Sequence, residues 1–344
     1  MRAVYIQSHG QPDSIVIGER PTPEPGPGEV RVRIVAAAFN HVDLYMRDSG
    51  AGITHELPLI LGVDGTGIVD TVGPGVIDLG PGDRVVLYPA RYCNFCEFCL
   101  RGDQMLCLGC KLIGEHSDGT FAEYVCMPAQ NVHRIPEGLS FEAAAVLPTA
   151  YLTAWRMVMT QARVRPTETV LIQGVGGGVA LAALQFAKLA GARVIATSSS
   201  DAKLESARKL GADAGVNYRN QDVLEQVLSF TGGRGVDVVI ESVGESTWPT
   251  SLRALRRGGR IVTCGATTGP NPKADLQRVF IRQLQIIGST LGNQDEFRAL
   301  LLAAQHKQFA PVIDKIFPFD QAREALSYLE QARQFGKLVL RVSD

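Results

Sequence analysis

The sequence predicts an α/β protein of two parts, a compact, mostly β region and a doubly wound parallel sheet. Three observations carry this. The first third consists of short, turn-bounded runs with strand periodicity. From about residue 169, strands alternate with helices, and a glycine run joins the first of these strands to the first of these helices. At 344 residues the chain has room for two domains, each with its own core.

Taken in order, residues 1–4 read as a strand. Pro21, Pro23, Pro25 and Pro27 then forbid helix and leave few donors for a sheet, which predicts an extended surface connection. Residues 30–35 alternate apolar and polar, and further strands are expected at 68–72, 83–87 and 122–125. The texture turns helical near Ser140. Strands at 169–173, 193–197, 236–240 and 259–263, with helices at 179–189 and 203–210, imply a parallel sheet with right-handed crossovers. After a strand at 286–290 come a helix, an amphipathic segment at 322–329 and a last strand at 337–340. No repeat or low-complexity tract interrupts this order.

A hydrophobic content of 45%, a charged content of 20% and a net charge of -1 describe an ordinary globular chain. A general nucleic-acid binder would carry a basic excess, so none is expected. No cleavable leader is legible at the start, and no apolar run is long enough to span a bilayer. Four of the seven cysteines crowd into one loop, while Cys110, Cys126 and Cys264 are scattered. That usage favours metal over disulfides and a cytoplasmic location.

The four are Cys93, Cys96, Cys99 and Cys107, spaced C-x2-C-x2-C-x7-C. One loop can fold back and present four thiolates at tetrahedral corners, the arrangement of a structural zinc site. An iron-sulfur cluster and redox thiols are the rivals, and Cys110 is an alternative fourth ligand.

Gly174, Gly176, Gly177, Gly178 and Val179 follow a strand and open a helix, the context that a dinucleotide-binding loop requires. Glycines let the backbone approach a pyrophosphate at the helix N-terminus. NAD selection places an acidic residue at the end of the second strand, but here that end reads Ala196-Thr197-Ser198-Ser199-Ser200, with Asp201 beyond it. Hydroxyls and the nearby Lys203 suit a 2′-phosphate, so NADP(H) is expected, with NAD the alternative. Lys203 could equally be a solvated helix residue.

Together these residues resemble the medium-chain dehydrogenases/reductases, the group of zinc-type alcohol dehydrogenases and quinone oxidoreductases. The likeness spans essentially the whole chain. It rests on the proline run, Gly62-Val63-Asp64-Gly65-Thr66-Gly67, Gly119-Thr120-Phe121-Ala122-Glu123-Tyr124, the cysteine quartet, the glycine loop and Phe335-Gly336-Lys337. It implies a GroES-like catalytic domain over 1–148 and 291–344, interrupted by a Rossmann cofactor domain over 149–290. One structural zinc per chain would sit on a lobe projecting from the catalytic domain.

The resemblance breaks at the catalytic zinc. The positions of its ligands carry Asn40, Val63 and Thr149, and Val42 stands where that subfamily relays a proton. Neither Asn nor Thr competes with thiolate and imidazole for zinc, and Asp64 alone cannot hold the ion. Asn40-x-x-Asp43-x-Tyr45 and Leu147-Pro148-x-x-Tyr151-x-Thr153-Ala154 are instead similar to the zinc-independent quinone oxidoreductases. That likeness implies Asn40, Asp43 and Tyr45 at the reacting centre, with the Asn40 amide and Tyr45 hydroxyl as donors to a carbonyl oxygen. It also implies Ser198, Lys203 and Tyr218 at the 2′-phosphate, and the family likeness places Thr153 and Gly265 in the cofactor site; His41 instead follows the alcohol dehydrogenases, where a basic residue at that place meets the pyrophosphate.

From the residues alone, Asn40 could merely cap a turn and Tyr45 could be a core aromatic. Asp43 and Asp64 read as structural acids, and His116 as an exposed loop histidine. The expected activity is an alcohol dehydrogenase-like oxidoreductase that reduces a carbonyl, enone or quinone. An acyl-CoA enoyl reductase, using Arg47 or Arg91 for the CoA phosphates, and a non-catalytic NADPH-binding protein are the alternatives. The family likeness at 286–290 implies a homo-oligomer, a tetramer before a dimer, with a small molecule as the other partner.

Overall fold

The computed structural model describes residues 1–10 and 12–343. The chain forms two units, Met1–Thr149 with the residues from Asn293 on, and Ala150–Gly292.

In the first unit, the larger sheet runs Val132–Arg134, Arg84–Leu87, Asp64–Val72, Glu29–Ala38, Lys337–Arg341, Ile313–Pro318, and Tyr124–Pro128 also pairs with Glu29–Ala38. A smaller sheet orders Ile15–Glu19, Arg2–Ile6 and Leu59–Ile60. Glu29–Ala38 alternates buried and half-buried residues up to Ile34 and is buried throughout beyond it. One face of its first half is covered, and both faces of its second half. Val30, Val32, Ile34, Met46, Phe121 and Leu340 belong to one core, and each such side chain contributes about 1.5–3 kcal/mol on burial.

Register then determines what meets at the end of this strand. Ala38 lies opposite Asp64 on one side and Val339 on the other. The Phe39 N–H donates to the Leu338 carbonyl at 3.0 Å, so the next pair along is Asn40 with Lys337. There the chain turns into the helix His41–Asp48, which buries Leu44 and Met46. Arg47 is buried as well, within 2.6 Å of Asp48 and 2.9 Å of Glu330, and fastens this helix to Ala322–Glu330.

The second unit holds six parallel strands: Thr169–Ile172, Arg193–Ser198, Ala214–Asn217, Val236–Glu241, Leu255–Thr263 and Gln285–Gly288. Numbered in sequence within the unit, their spatial order is 3-2-1-4-5-6, the doubly wound arrangement of dinucleotide-binding sheets. Strands Thr169–Ile172 and Val236–Glu241 are buried along their whole length, as the inner strands of a parallel sheet must be. The glycine loop leaves the first strand at the point where strand order reverses, the usual ligand position in open α/β sheets.

Several features depart from the sequence expectation, among them two strands and a helix. Ala214–Asn217 and Ile313–Pro318 are strands that no apolar run announces, since the first contains Gly215 and the second is mostly exposed. The segment expected to be plain helix widens into π-helical turns at Leu147–Tyr151 and Arg156–Gln161. Among the described residues, no helix is long and apolar enough to cross a membrane.

Candidate functional site

Three strand ends of the first unit converge on one buried ammonium. Lys337 Nζ donates to the Phe39 carbonyl and to Asn40 Oδ1, both at 2.6 Å, and lies 3.7 Å from Asp64 Oδ2. Asn40 Nδ2 donates to Asp64 Oδ2 at 2.8 Å and to the Ala38 carbonyl at 3.3 Å. The Thr149 hydroxyl, carried on the π-helical turn, donates to Asp64 Oδ1 at 2.6 Å. Asp43 Oδ2 accepts the Asn40 backbone N–H at 2.7 Å. Asp43 and Asp64 are fully buried, and Lys337 and Asn40 nearly so.

Desolvation governs the titration of this cluster. Burial raises the pKa of Asp64, which Lys337, Asn40 and Thr149 pull back down, and it lowers that of Lys337, which Asp64 and Asp43 support. Asp43 has weaker company: burial pushes it up to about 7, with the Asn40 amide and Lys337 only partly offsetting that. His41 stands at the start of its helix, where the surrounding protein and then the Lys337 charge lower its pKa.

These residues do not fit a catalytic zinc. Val63 is buried and offers no donor atom. Asn40 Oδ1 already accepts from Lys337, and the Thr149 hydroxyl is turned to Asp64. The set contains no thiolate or imidazole, and a cation already sits against its single paired carboxylate. The same bonds correct the expected role of Asn40. Both of its amide hydrogens are engaged, so it holds Asp64 and receives Lys337 instead of presenting a donor to substrate. Tyr45 is not a core aromatic: it is 42% exposed, one helical turn beyond His41, and desolvation raises its pKa. His116 is half-buried, not exposed, and its Nδ1 accepts the Leu112 N–H at 3.1 Å.

The arginines considered for a CoA phosphate are both engaged. Arg47 is buried between Asp48 and Glu330, and Arg91 donates to the Cys126 carbonyl at 2.6 Å.

The cysteine quartet does come together. The sulfurs of Cys93, Cys96, Cys99 and Cys107 all lie within 4.8 Å of one another, and Cys110 is not among them. Corners 2.3 Å from a tetrahedral ion stand about 3.8 Å apart. Cys93 and Cys99 are separated by 3.8 Å, and Cys93 and Cys107 by 3.5 Å. Backbone amides of Phe95 and Cys96 draw the Cys93 thiol down to about 6, whereas burial and the neighbouring thiols push Cys99 up to about 12. The donor set fits a structural zinc, whose charge would stabilise all four thiolates at once.

In the second unit, the expected cofactor residues gather at the ends of the first two strands. Gly174 and Gly176 have φ of +69° and +141°. A Cβ on Gly176 would come 3.1 Å from Lys203 Cδ, so the lysine lies across the glycine loop. Ser198 is buried at the end of its strand, and its carbonyl accepts the Tyr218 N–H at 3.1 Å. Asp201 Oδ1 accepts from Asn217 Nδ2 at 2.9 Å. Gly177 precedes and Gly178 opens the helix Gly178–Leu189, with Val179 in its first turn. Gly265 follows the fifth strand, where a Cβ would meet the Ser242 carbonyl at 3.2 Å, and Thr153 is buried on the helix Leu152–Trp155.

Lys337 is the residue that the sequence reading used only as a family mark. A lysine at the head of an apolar strand signals a buried partner, and Asp64, equally apolar in its surroundings, was the partner available.

Residues 26–137 match the family model of the alcohol dehydrogenase GroES-like domain, and residues 178–305 that of the zinc-binding dehydrogenases. A zinc-type alcohol dehydrogenase-like protein of Schizosaccharomyces pombe is 38% identical, over 92% of this chain and 91% of its own. A 2-haloacrylate reductase of a Burkholderia species is 32% identical, over 98% of both chains. A solved NAD-dependent alcohol dehydrogenase superposes with a TM-score of 0.96 at 44% identity, covering 100% of each chain.

Two outcomes are expected. Metal analysis of the purified protein should find about one zinc per chain, lost in Cys99→Ser with only local unfolding of residues around the quartet; two zincs, or collapse of the whole cooperative transition, would refute this. The second concerns Asp43, whose folded pKa of about 7 exceeds its ordinary 3.8. The folded chain therefore holds this proton more tightly than the unfolded chain, and the stability it supplies is full below about pH 4 and lost as pH rises toward 7. Asp43→Asn keeps an acceptor for Asn40 and removes that loss. Its stability relative to wild type should improve by about 2.3 kcal/mol between pH 5 and pH 7, and a difference constant across that range in chemical denaturation would contradict it.

Proposed function

The chain belongs to the medium-chain dehydrogenase/reductase family, on its zinc-type alcohol dehydrogenase branch, and is an oxidoreductase; we propose that it moves hydride between NADP(H) and a carbonyl, enone or quinone with no metal at the reacting centre. The observation that carries this reading is the closed Lys337–Asn40–Asp64–Thr149 network at the positions of the family's catalytic zinc ligands.

When bound, NADPH supplies the hydride. The protein must then stabilise the negative charge that develops on the acceptor oxygen, and Tyr45 is the donor for it. A tyrosine hydroxyl is protonated at neutral pH, and desolvation moves the Tyr45 pKa further up; one such donor is worth about 2.7–4 kcal/mol in an oxyanion site. A metal supplies several kcal/mol as a Lewis acid, so a single donor favours acceptors that are already activated. The name of the Burkholderia relative, a reductase of a haloacrylate, points to the same class. Asn40 and Asp43 act as positioning residues for the head of the Tyr45 helix.

Ser198, Lys203 and Tyr218 support NADPH over NADH. Asp201, the acid nearest the end of the second strand, is turned onto Asn217, which takes it from the ribose hydroxyl that an NAD-selective acid would hold. We place the protein in the cytoplasm on its thiol usage. We also infer a homo-oligomer, a tetramer, because Ile286 on the edge strand and Leu276 and Phe280 on the preceding helix are all exposed.

An NADPH-oxidation screen across quinones, enones, ketones and enoyl-CoAs should find turnover on an activated acceptor. Silence across the panel with NADPH still bound would leave a binding protein, and this reading would fall. Tyr45→Phe should lower kcat by roughly 10²-fold with little change in KM, and an unchanged kcat would remove Tyr45 from the mechanism. Lys203→Ala should raise the KM for NADPH about tenfold and leave that for NADH unchanged; equal effects on both would refute the 2′-phosphate contact.

A further inference from the structure

Beneath the glycine loop, the second unit contains a run of buried polar side chains that no cofactor contact explains. Gly174 N–H donates to the Thr197 hydroxyl at 3.0 Å, and that hydroxyl donates to Gln173 Oε1 at 2.8 Å. Gln173 Nε2 donates to Ser251 Oγ at 3.1 Å, and Ser251 donates to Glu241 Oε2 at 2.7 Å. The other oxygen of Glu241 accepts the N–H groups of Val243 and Gly244, at 2.7 and 3.1 Å. Thr197, Gln173, Ser251 and Glu241 are all buried. They come from three different strand ends and a helix, so the chain of bonds crosses the sheet at the point where strand order reverses. Its two ends also lie close together, since a Cβ added at Gly174 would come 3.2 Å from Val243 Cγ2.

We propose that Gln173, Ser251 and Glu241 are positioning residues that lock the glycine loop to the 242–244 loop, so that the dinucleotide site is set as one body before cofactor arrives. This rests on the reading of the glycine loop as the NADP(H) site. Burying four polar side chains is costly unless each is satisfied, and here each bond satisfies the next. Glu241, which also accepts the Thr247 hydroxyl at 2.8 Å and so has four donors, anchors one end. At the other end Thr197 holds the Gly174 amide inward, which fixes the turn from which the following glycines approach the pyrophosphate. A cofactor that binds such a frame loses less affinity to ordering the loops.

Ser251→Ala cuts the run at its middle without touching either loop. In the cofactor-free protein, hydrogen exchange should speed up at Gly174 and at Val243 and Gly244 together, and the NADPH dissociation constant should rise about tenfold while kcat at saturating NADPH stays within about twofold. Gln173→Met, which cuts one link earlier with a side chain of similar size, should reproduce the two-ended loss if Ser251→Ala fails to fold. Loosening at one end only, or an unchanged dissociation constant, would overturn the proposal. If wild type did not bind NADPH at all, the cofactor reading would fall instead, and the exchange coupling would still test the lock.

Discussion

The first unit is organised around the Lys337 ammonium. Two carboxyl groups lie in its core, and a buried carboxylate without a partner costs several kcal/mol. Lys337 compensates Asp64 directly and lowers the cost of ionising Asp43. Because its other bonds go to Asn40 and Phe39, the ammonium also ties the strand Lys337–Arg341 to the end of Glu29–Ala38 and the start of the following helix. Removing one member of such a pair typically costs about 3–5 kcal/mol, because the remaining charge is left in a dry interior.

The same interaction limits the chemistry. A site that spends Asn40, Asp64 and Thr149 on each other has no ligands left for a metal and no spare donors for a substrate. In the proposed mechanism the donor to substrate is therefore Tyr45, on the exposed face of the helix that begins at His41. The cysteine quartet is the opposite case. Its ligands lie within one short loop and would gain their positive charge from an ion, whereas the Lys337 cluster receives its charge covalently, from a distant strand.

The parts of the site that depend on local sequence were legible. The cysteine spacing identifies four sulfurs that the fold does bring within one coordination sphere, and the glycine run identifies the turn at the strand-order reversal. The parts that depend on register were not. Asn40 looks like a cap or a donor until the Ala38–Asp64 and Ala38–Val339 pairings place Lys337 beside it. The role of Glu241 is invisible for a different reason: its partners are near in sequence, in the loop that follows its strand and on the helix ten residues on, but only the fold turns them back onto its carboxylate. Ala214–Asn217 lacked the apolar run that marks its neighbours, because its strand is set by pairing with Arg193–Ser198. Tyr45 could be named from the family likeness, but its exposure could not be read from the sequence.

The separation of the bonded groups bears on the order in which a ribosome delivers them. Asn40 and Lys337 are 297 positions apart, and the entire parallel sheet lies between them. A nascent chain can gather its four thiols early, within a stretch of loop, but Asp64 has no counter-ion until almost everything else has been translated. The β unit therefore completes its Lys337 pairing only after the second unit has been made. Its first strands emerge early, yet the unit is completed last.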